Sequence, residues 1–161
     1  MTKYESQIKS IYAPVDRVYA KLSDLSNLRV LQERCSDPAF IDTIKQRAGD
    51  KVSDEQLASL QERLKAMQFD TDTVSGYVEQ LGTDLTLRII EREEPKLVKM
   101  ELENSPIPAN LWIQLLPDSN GNTRMKLTIG VELNFFIKQM VGGKLKDGVD
   151  KFADMLAMIP Y

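Results

Sequence analysis

The chain of 161 residues contains no histidine. That absence removes Ser-His-Asp and Cys-His activation of a nucleophile, histidine-ligated zinc, and the side chain most used for proton transfer near neutral pH. A single cysteine, Cys35, leaves no intrachain disulfide and no multi-cysteine metal site. Such a lone cysteine reads as a small buried hydrophobe. No window approaches the about 18 consecutive apolar residues of a membrane span. The opening MTKYESQIKSIYAP has no basic stretch followed by an apolar core and cleavage site, so a cytoplasmic location without stable membrane insertion is expected. Charge of one sign is missing too. The 21 Lys and Arg are interspersed with 24 Asp and Glu, and a net charge of −3 provides no field to gather nucleic acid. No catalytic residue, metal or organic cofactor is expected from this inventory.

What is present fits one soluble domain over residues 1–161, with 42% hydrophobic and 28% charged residues. Residues 3–12 alternate as a strand, with Tyr4, Ser6, Ile8, Ser10 and Tyr12 on the side taken as inward. Pro14 suits a helix start, and Val15, Val18, Tyr19 and Leu22 recur at helical spacing. Leu25, Leu28 and Leu31 indicate a second short helix. The stretch from Asp37 to Gly49 fits either a helix or a loop. Ser53 and Gln56 form a capping box ahead of Leu57, Leu60, Leu64 and Met67, which predicts a helix over 54–67.

After Phe69 the period changes to two. Strands are predicted at 69–79, 84–92, 97–103, 110–117 and 123–133. Tyr77, Met100 and Leu102 are expected on the inner face. Asp70 and Asp72 share a strand face, where exposure is the expected state because unpaired buried carboxylates are costly. Asn120-Gly121 is the dipeptide favoured in two-residue type I′ hairpins. A two-residue loop pairs Ser119 with Asn122 and sets Trp112, Gln114 and Leu116 opposite Ile129, Leu127 and Met125. Trp112 and Gln114 then point inward with Met125 and Leu127. A slip of one residue buries Leu111, Ile113 and Leu115 instead.

The end of the chain reads as a helix with Val141, Leu145, Val149, Phe152, Leu156 and Ile159 near one face. Gly142, Gly143 and Gly148 interrupt it. A glycine in a helix interior costs about 0.5–1 kcal/mol relative to alanine, so these positions need a geometric reason. Gly148 falls on the apolar face, where a missing side chain either lets a backbone approach closely or leaves an opening. Gly142-Gly143 either lines the same space or breaks off a short first helix.

The phrases YESQIKSIYAPVDRVYAKLSDLSNL, RIIEREEPKLVKMELENSP, LWIQLLPDSNGNTRMKLTIGVELN and MVGGKLKDGVDKFADMLAMIP resemble the START-like superfamily. This group, also called SRPBCC or Bet v 1-like, includes polyketide cyclase/dehydrase and lipid-transport proteins. The resemblance spans nearly the whole chain, with about 36–67 as a helical insertion. It implies an α+β helix-grip fold: a curved antiparallel sheet around a long C-terminal helix, with two short helices after strand 1. It also implies a cavity between sheet and helix for a small hydrophobic or amphipathic ligand. Combined with the inward faces, it makes Tyr77, Met100, Leu102, Trp112, Gln114, Met125, Leu127, Gly148 and Phe152 the candidate ligand-binding residues. Two other functions stay open: a cyclase- or dehydratase-like enzyme, and a protein-interaction module with a filled cavity. The second would use Leu111, Ile113 and Leu115 as an exposed patch, including for self-association into a homodimer.

Overall fold

A computed structural model describes residues 2–48, 53–78, 82–105, 107–132, 134–159 and 161. Two short strands, β1 (Thr2–Glu5) and β2 (Lys9–Ile11), come first. Helix α1 (Val15–Leu22) follows, then a 3-10 turn (Leu25–Leu28), α2 (Arg29–Arg34), α3 (Pro38–Ala48) and α4 (Asp54–Ala66). Strands β3 (Gln68–Phe69), β4 (Thr73–Val78), β5 (Thr83–Glu93), β6 (Leu97–Glu103), β7 (Ala109–Pro117) and β8 (Thr123–Val131) come next. The chain ends on α5 (Phe135–Ala157). All pairings are antiparallel, in the order β1-β8-β7-β6-β5-β4-β3, with β2 also on β8. The curved sheet grips α5, which is the α+β helix-grip arrangement.

Local chemistry accounts for several boundaries. Pro14, at φ −61° and ψ 149°, stands in the N-cap position of α1. The Ser53 hydroxyl accepts the Gln56 N–H at 3.2 Å while the Gln56 side chain accepts the Ser53 N–H at 2.9 Å, completing the expected capping box. The segment from Asp37 resolves as a helix, started by Asp37, whose carboxylate accepts the Ala39 N–H at 2.9 Å. The side chains of Leu60 and Val141, both expected on apolar faces, lie outside the described residues. Helix α5 runs through Gly142-Gly143 without a break.

The first strand departs from simple alternation. Tyr4 pairs with Ile129, but Lys9 pairs with Met125, so one extra residue is accommodated between β1 and β2. Ser6 stabilises the irregularity, with its N–H on Leu127 O at 2.8 Å and its Oγ accepting the Leu127 N–H at 3.0 Å. The inward parity therefore changes from even to odd numbers. Tyr4 and Ser6 stay inside, whereas Ile8, Ser10 and Tyr12 are exposed.

The hairpin between β7 and β8 takes the register one residue away from that of a two-residue loop. Pro117 pairs with Thr123, Leu115 with Met125, and Ile113 with Leu127. Asp118 and Asn122 close a three-residue loop through the Asp118 N–H on Asn122 O, 2.8 Å. Gly121 takes φ +81° in it. This is a turn followed by a left-handed residue, the usual three-residue solution. Asp118 Oδ1 accepts the N–H groups of Asn120 and Asn122 at 2.8 and 2.9 Å, which locks the longer loop. Thr123 is fully buried and donates its hydroxyl to Ala13 O at 2.8 Å, pinning the start of β8. In consequence Leu111, Ile113 and Leu115 are buried, and the exposed interaction patch expected of them does not exist.

Inside the grip, Ile113, Leu115, Met125 and Leu127 meet Val149, Ala153 and Leu156 of α5 and Val18, Leu22 and Leu25 of the first helices in one continuous core. Each buried Val, Leu, Ile or Met side chain among them contributes about 1.5–3 kcal/mol by leaving water. Lys9 draws the second half of α5 onto β2, with its ammonium 3.1 Å from both Asp150 and Asp154. The Gln7 N–H adds a bond to Asp150 at 2.9 Å.

Candidate functional site

Beside the middle of α5, from Lys144 to Phe152, sheet and helix leave a space between them. A groove of about 270 Å³ opens there, with an almost wholly apolar lining. Leu145, Gly148, Val149 and Phe152 form the helix wall, with Lys144 at the rim. The sheet wall consists of Leu87, Leu102, Leu111 and Ile129, with Ala109 and Asn110 at its end. Register explains why these side chains gather. Leu87 pairs with Leu102 across β5 and β6, and Leu111 pairs with Ile129 across β7 and β8, so all four project from one face toward the helix.

Gly148 shapes the helix side. A Cβ built at Gly148 would meet no heavy atom within 4 Å, so the missing side chain leaves open space rather than a tight backbone contact. Gly142, farther up the helix, is the opposite case: its Cβ would lie 3.0 Å from the Tyr4 hydroxyl oxygen. Tyr4 Oη is itself buried and has no hydrogen-bond partner among the described residues. One glycine admits a neighbour, and the other borders a vacancy.

Of the residues singled out from the sequence, Leu102, Gly148 and Phe152 come together in the groove. Met100, Met125 and Leu127 point inward but are packed in the core, each at most 2% exposed. Trp112 and Gln114 lie on the outer face of the sheet, correcting the inward orientation that a two-residue loop demanded. The Trp112 ring there carries the Lys3 and Lys99 ammonium groups 5.1 and 5.5 Å from its centroid. Tyr77, which pairs with Asp84, is on the same outer face and 58% exposed. Leu87, Ala109 and Ile129 join the groove without having been singled out. Leu145 was visible as part of the apolar helix stripe, but the Leu87–Leu102 pairing depends on a β5–β6 register that no local turn signal specifies.

Ionisable chemistry is sparse at this place. Among the described residues, Lys144 is the one titratable side chain on the groove lining. Asn110 directs its amide to Met100 O at 3.2 Å. Asp70 and Asp72 are exposed and stand beside Arg29 and Arg92, far from any shared buried position. Cys35 is buried with its Sγ 3.0 Å from Gln32 O, a packing position. Among the described residues no group of three His, Cys, Asp or Glu is placed to hold a metal ion. No helix among them is long and apolar enough to cross a membrane.

No family model matches the chain and no curated protein matches its sequence. Solved structures do match. A protein from Thermobifida fusca, determined by NMR in solution, is similar at 15% identity and a TM-score of 0.58, covering 98% of this chain and 91% of that one. A crystal structure from Mesorhizobium loti is similar at 12% identity and a TM-score of 0.57 over 98% and 96% of the two chains. A conserved protein from Geobacillus kaustophilus is similar at 15% identity and 0.55, over 97% and 93%. At such identities the likeness is one of fold along nearly the full length of each chain, and the groove's chemistry has to be read from this chain's own residues.

Proposed function

We propose that the chain is a single binding module that holds a small hydrophobic or amphipathic molecule in the groove between the sheet and α5, without transforming it. The observation that carries this reading is Gly148: a helix-interior glycine bordering open space in an apolar groove. Alanine would add about 0.5–1 kcal/mol of helix stability and clash with nothing, so the residue costs stability and leaves room. The volume lies just under the usual range of about 300–1,000 Å³ for ligand sites, which suits a single chain or a ring system rather than a two-chain lipid. Lys144 at the rim suits an anionic head on such a guest. A cyclase-like reading has less support, because one rim lysine does not provide an acid and a base on opposite sides of a substrate.

The test uses 1-anilinonaphthalene-8-sulfonate as probe and native mass spectrometry of protein taken from its own cells. Saturable binding of one dye per chain is expected, and so is a co-purifying small molecule. Gly148→Leu projects a side chain into the vacancy and should weaken the dye at least tenfold while leaving the melting temperature unchanged or higher. Dye affinity surviving Gly148→Leu intact would move the site elsewhere and end this reading.

A further inference from the structure

The two margins of the groove differ in chemistry. Going around α5 at about 100° per residue, Lys144 and Gly148 stand on one margin of the groove face, and both are exposed. Val149 stands on the other margin and is buried. Gly142, two turns before Val149, continues that buried margin. On the sheet the groove ends at Ile129, whose cross-strand partner on β1 is Tyr4. Tyr4 therefore projects from the face that forms the groove wall, one strand farther on. Its hydroxyl meets α5 at Gly142, one turn before the groove-lining Leu145. Along both walls, then, the Tyr4 hydroxyl occupies the next position beyond the groove. It has no structural task there. Among the described residues Tyr4 Oη is the one buried side-chain N or O atom without a hydrogen-bond partner. The hydroxyls of Thr123 and Tyr161, by contrast, each donate to a backbone carbonyl. A phenylalanine at position 4 would keep the ring contacts and lose only the unsatisfied atom.

We propose that the Tyr4 hydroxyl is the polar end-stop of the groove. This assigns the guest a class: an apolar chain or ring with an anionic head at one end and a hydroxyl or carbonyl oxygen at the other. The inference rests on the reading of the groove as a ligand site. The head stays with Lys144 at the exposed margin, and the apolar body lies along Leu102, Leu111 and Phe152. The inserted end passes the half-buried Ile129 and Leu145 and shares a hydrogen bond with Tyr4 Oη. A guest with a hydrocarbon tip would leave the phenol unsatisfied beneath one more apolar surface, whereas an oxygen there supplies the missing partner. Discrimination of this kind is strong, because a guest lacking the oxygen leaves a buried polar group unpaired. At roughly 30 Å³ per water-sized group, the groove's 270 Å³ holds about nine such groups. A ten-carbon acid with its carboxylate at the rim is therefore the matching probe.

The experiment titrates the full chain with decanoate and with 10-hydroxydecanoate, both below their micelle concentrations, by isothermal titration calorimetry. Its readout is the ratio of the two affinities, hydroxy acid over plain acid. Tyr4→Phe should lower that ratio by about tenfold or more, with a melting temperature unchanged or higher than the parent's. Lys144→Gln should weaken both acids by the same factor and leave the ratio as it is, because it acts on the carboxylate they share. A ratio that Tyr4→Phe changes by less than about twofold would overturn the inference and leave the phenol to ordered water. The groove reading would survive that result, provided that both acids bind and Gly148→Leu weakens them. Binding of neither acid to the parent chain, or binding that Gly148→Leu leaves intact, would remove the groove reading and the end-stop together.

Discussion

Tyr4 and Gly142 form a pair whose coupling can be measured. The buried phenol oxygen has no partner among the described residues, a state that costs about 1–3 kcal/mol per group. It lies 3.0 Å from the position of a Gly142 Cβ, whereas the ring carbons Cε1 and Cζ lie at 3.6 and 3.7 Å, ordinary contact distances. Tyr4→Phe should therefore raise stability by about 1 kcal/mol in urea unfolding, since it removes only the unsatisfied atom. Gly142→Ala alone should give less than the about 0.5–1 kcal/mol expected from helix propensity, because the new methyl presses on the hydroxyl. Introduced into the Tyr4→Phe chain, the same substitution should realise its full gain. The prediction is thus a positive coupling in the double-mutant cycle, and strict additivity would show that the hydroxyl does not confine Gly142.

Among the elements, the β7–β8 hairpin shows where sequence reasoning succeeded and where it ran short. Both strands and the turn were legible, because Asn120-Gly121 sits between alternating runs. The register was not, because both faces of β7 are apolar enough to be buried and the alternation of β7 gives no preference between them. Asp118 decided it by capping two N–H groups of a loop one residue longer than the dipeptide suggested. Trp112 and Gln114 went to the outer face as a result. The capping box of α4 was readable because it is contained in four consecutive residues, and Gly148 because helical spacing alone puts it on the apolar face. The sheet wall of the groove was only partly readable, since Leu87 and Leu102 meet through a non-local pairing. If Asp118 sets the register, Asp118→Ala should lower stability by about 1–2 kcal/mol, more than an exposed loop substitution usually does. The amide resonances of Asn120 and Asn122 should shift most. A loss under 0.3 kcal/mol would assign the register to Thr123 and its bond to Ala13 instead.

Taken whole, the molecule is a grip meshed toward the end of α5 and open beside its middle. At the meshed end Ala153 and Leu156 are fully buried, and the chain terminus folds back so that Tyr161 packs against the same core. Its hydroxyl donates to Leu156 O at 2.6 Å, and burial pushes the phenol well above its ordinary range. A folded-state shift upward means that the neutral phenol is the form the fold holds. Its contribution is complete below the unfolded value of about 10 and disappears as pH rises above it, because the unfolded chain ionises first. Between pH 7 and 9, Tyr161→Phe should cost about 1 kcal/mol for the lost hydrogen bond. Above pH 10 the parent chain should lose about 1.4 kcal/mol per pH unit more than the variant, since one additional proton is released on unfolding. The two stability curves should therefore cross near pH 11, measured by urea unfolding across the alkaline range with both chains in the same buffers. Parallel curves would mean that the terminus is already solvated in the native state. In that case the meshed end of the grip stops at Leu156, and the residues beyond it no longer help to hold α5 against the sheet next to the groove.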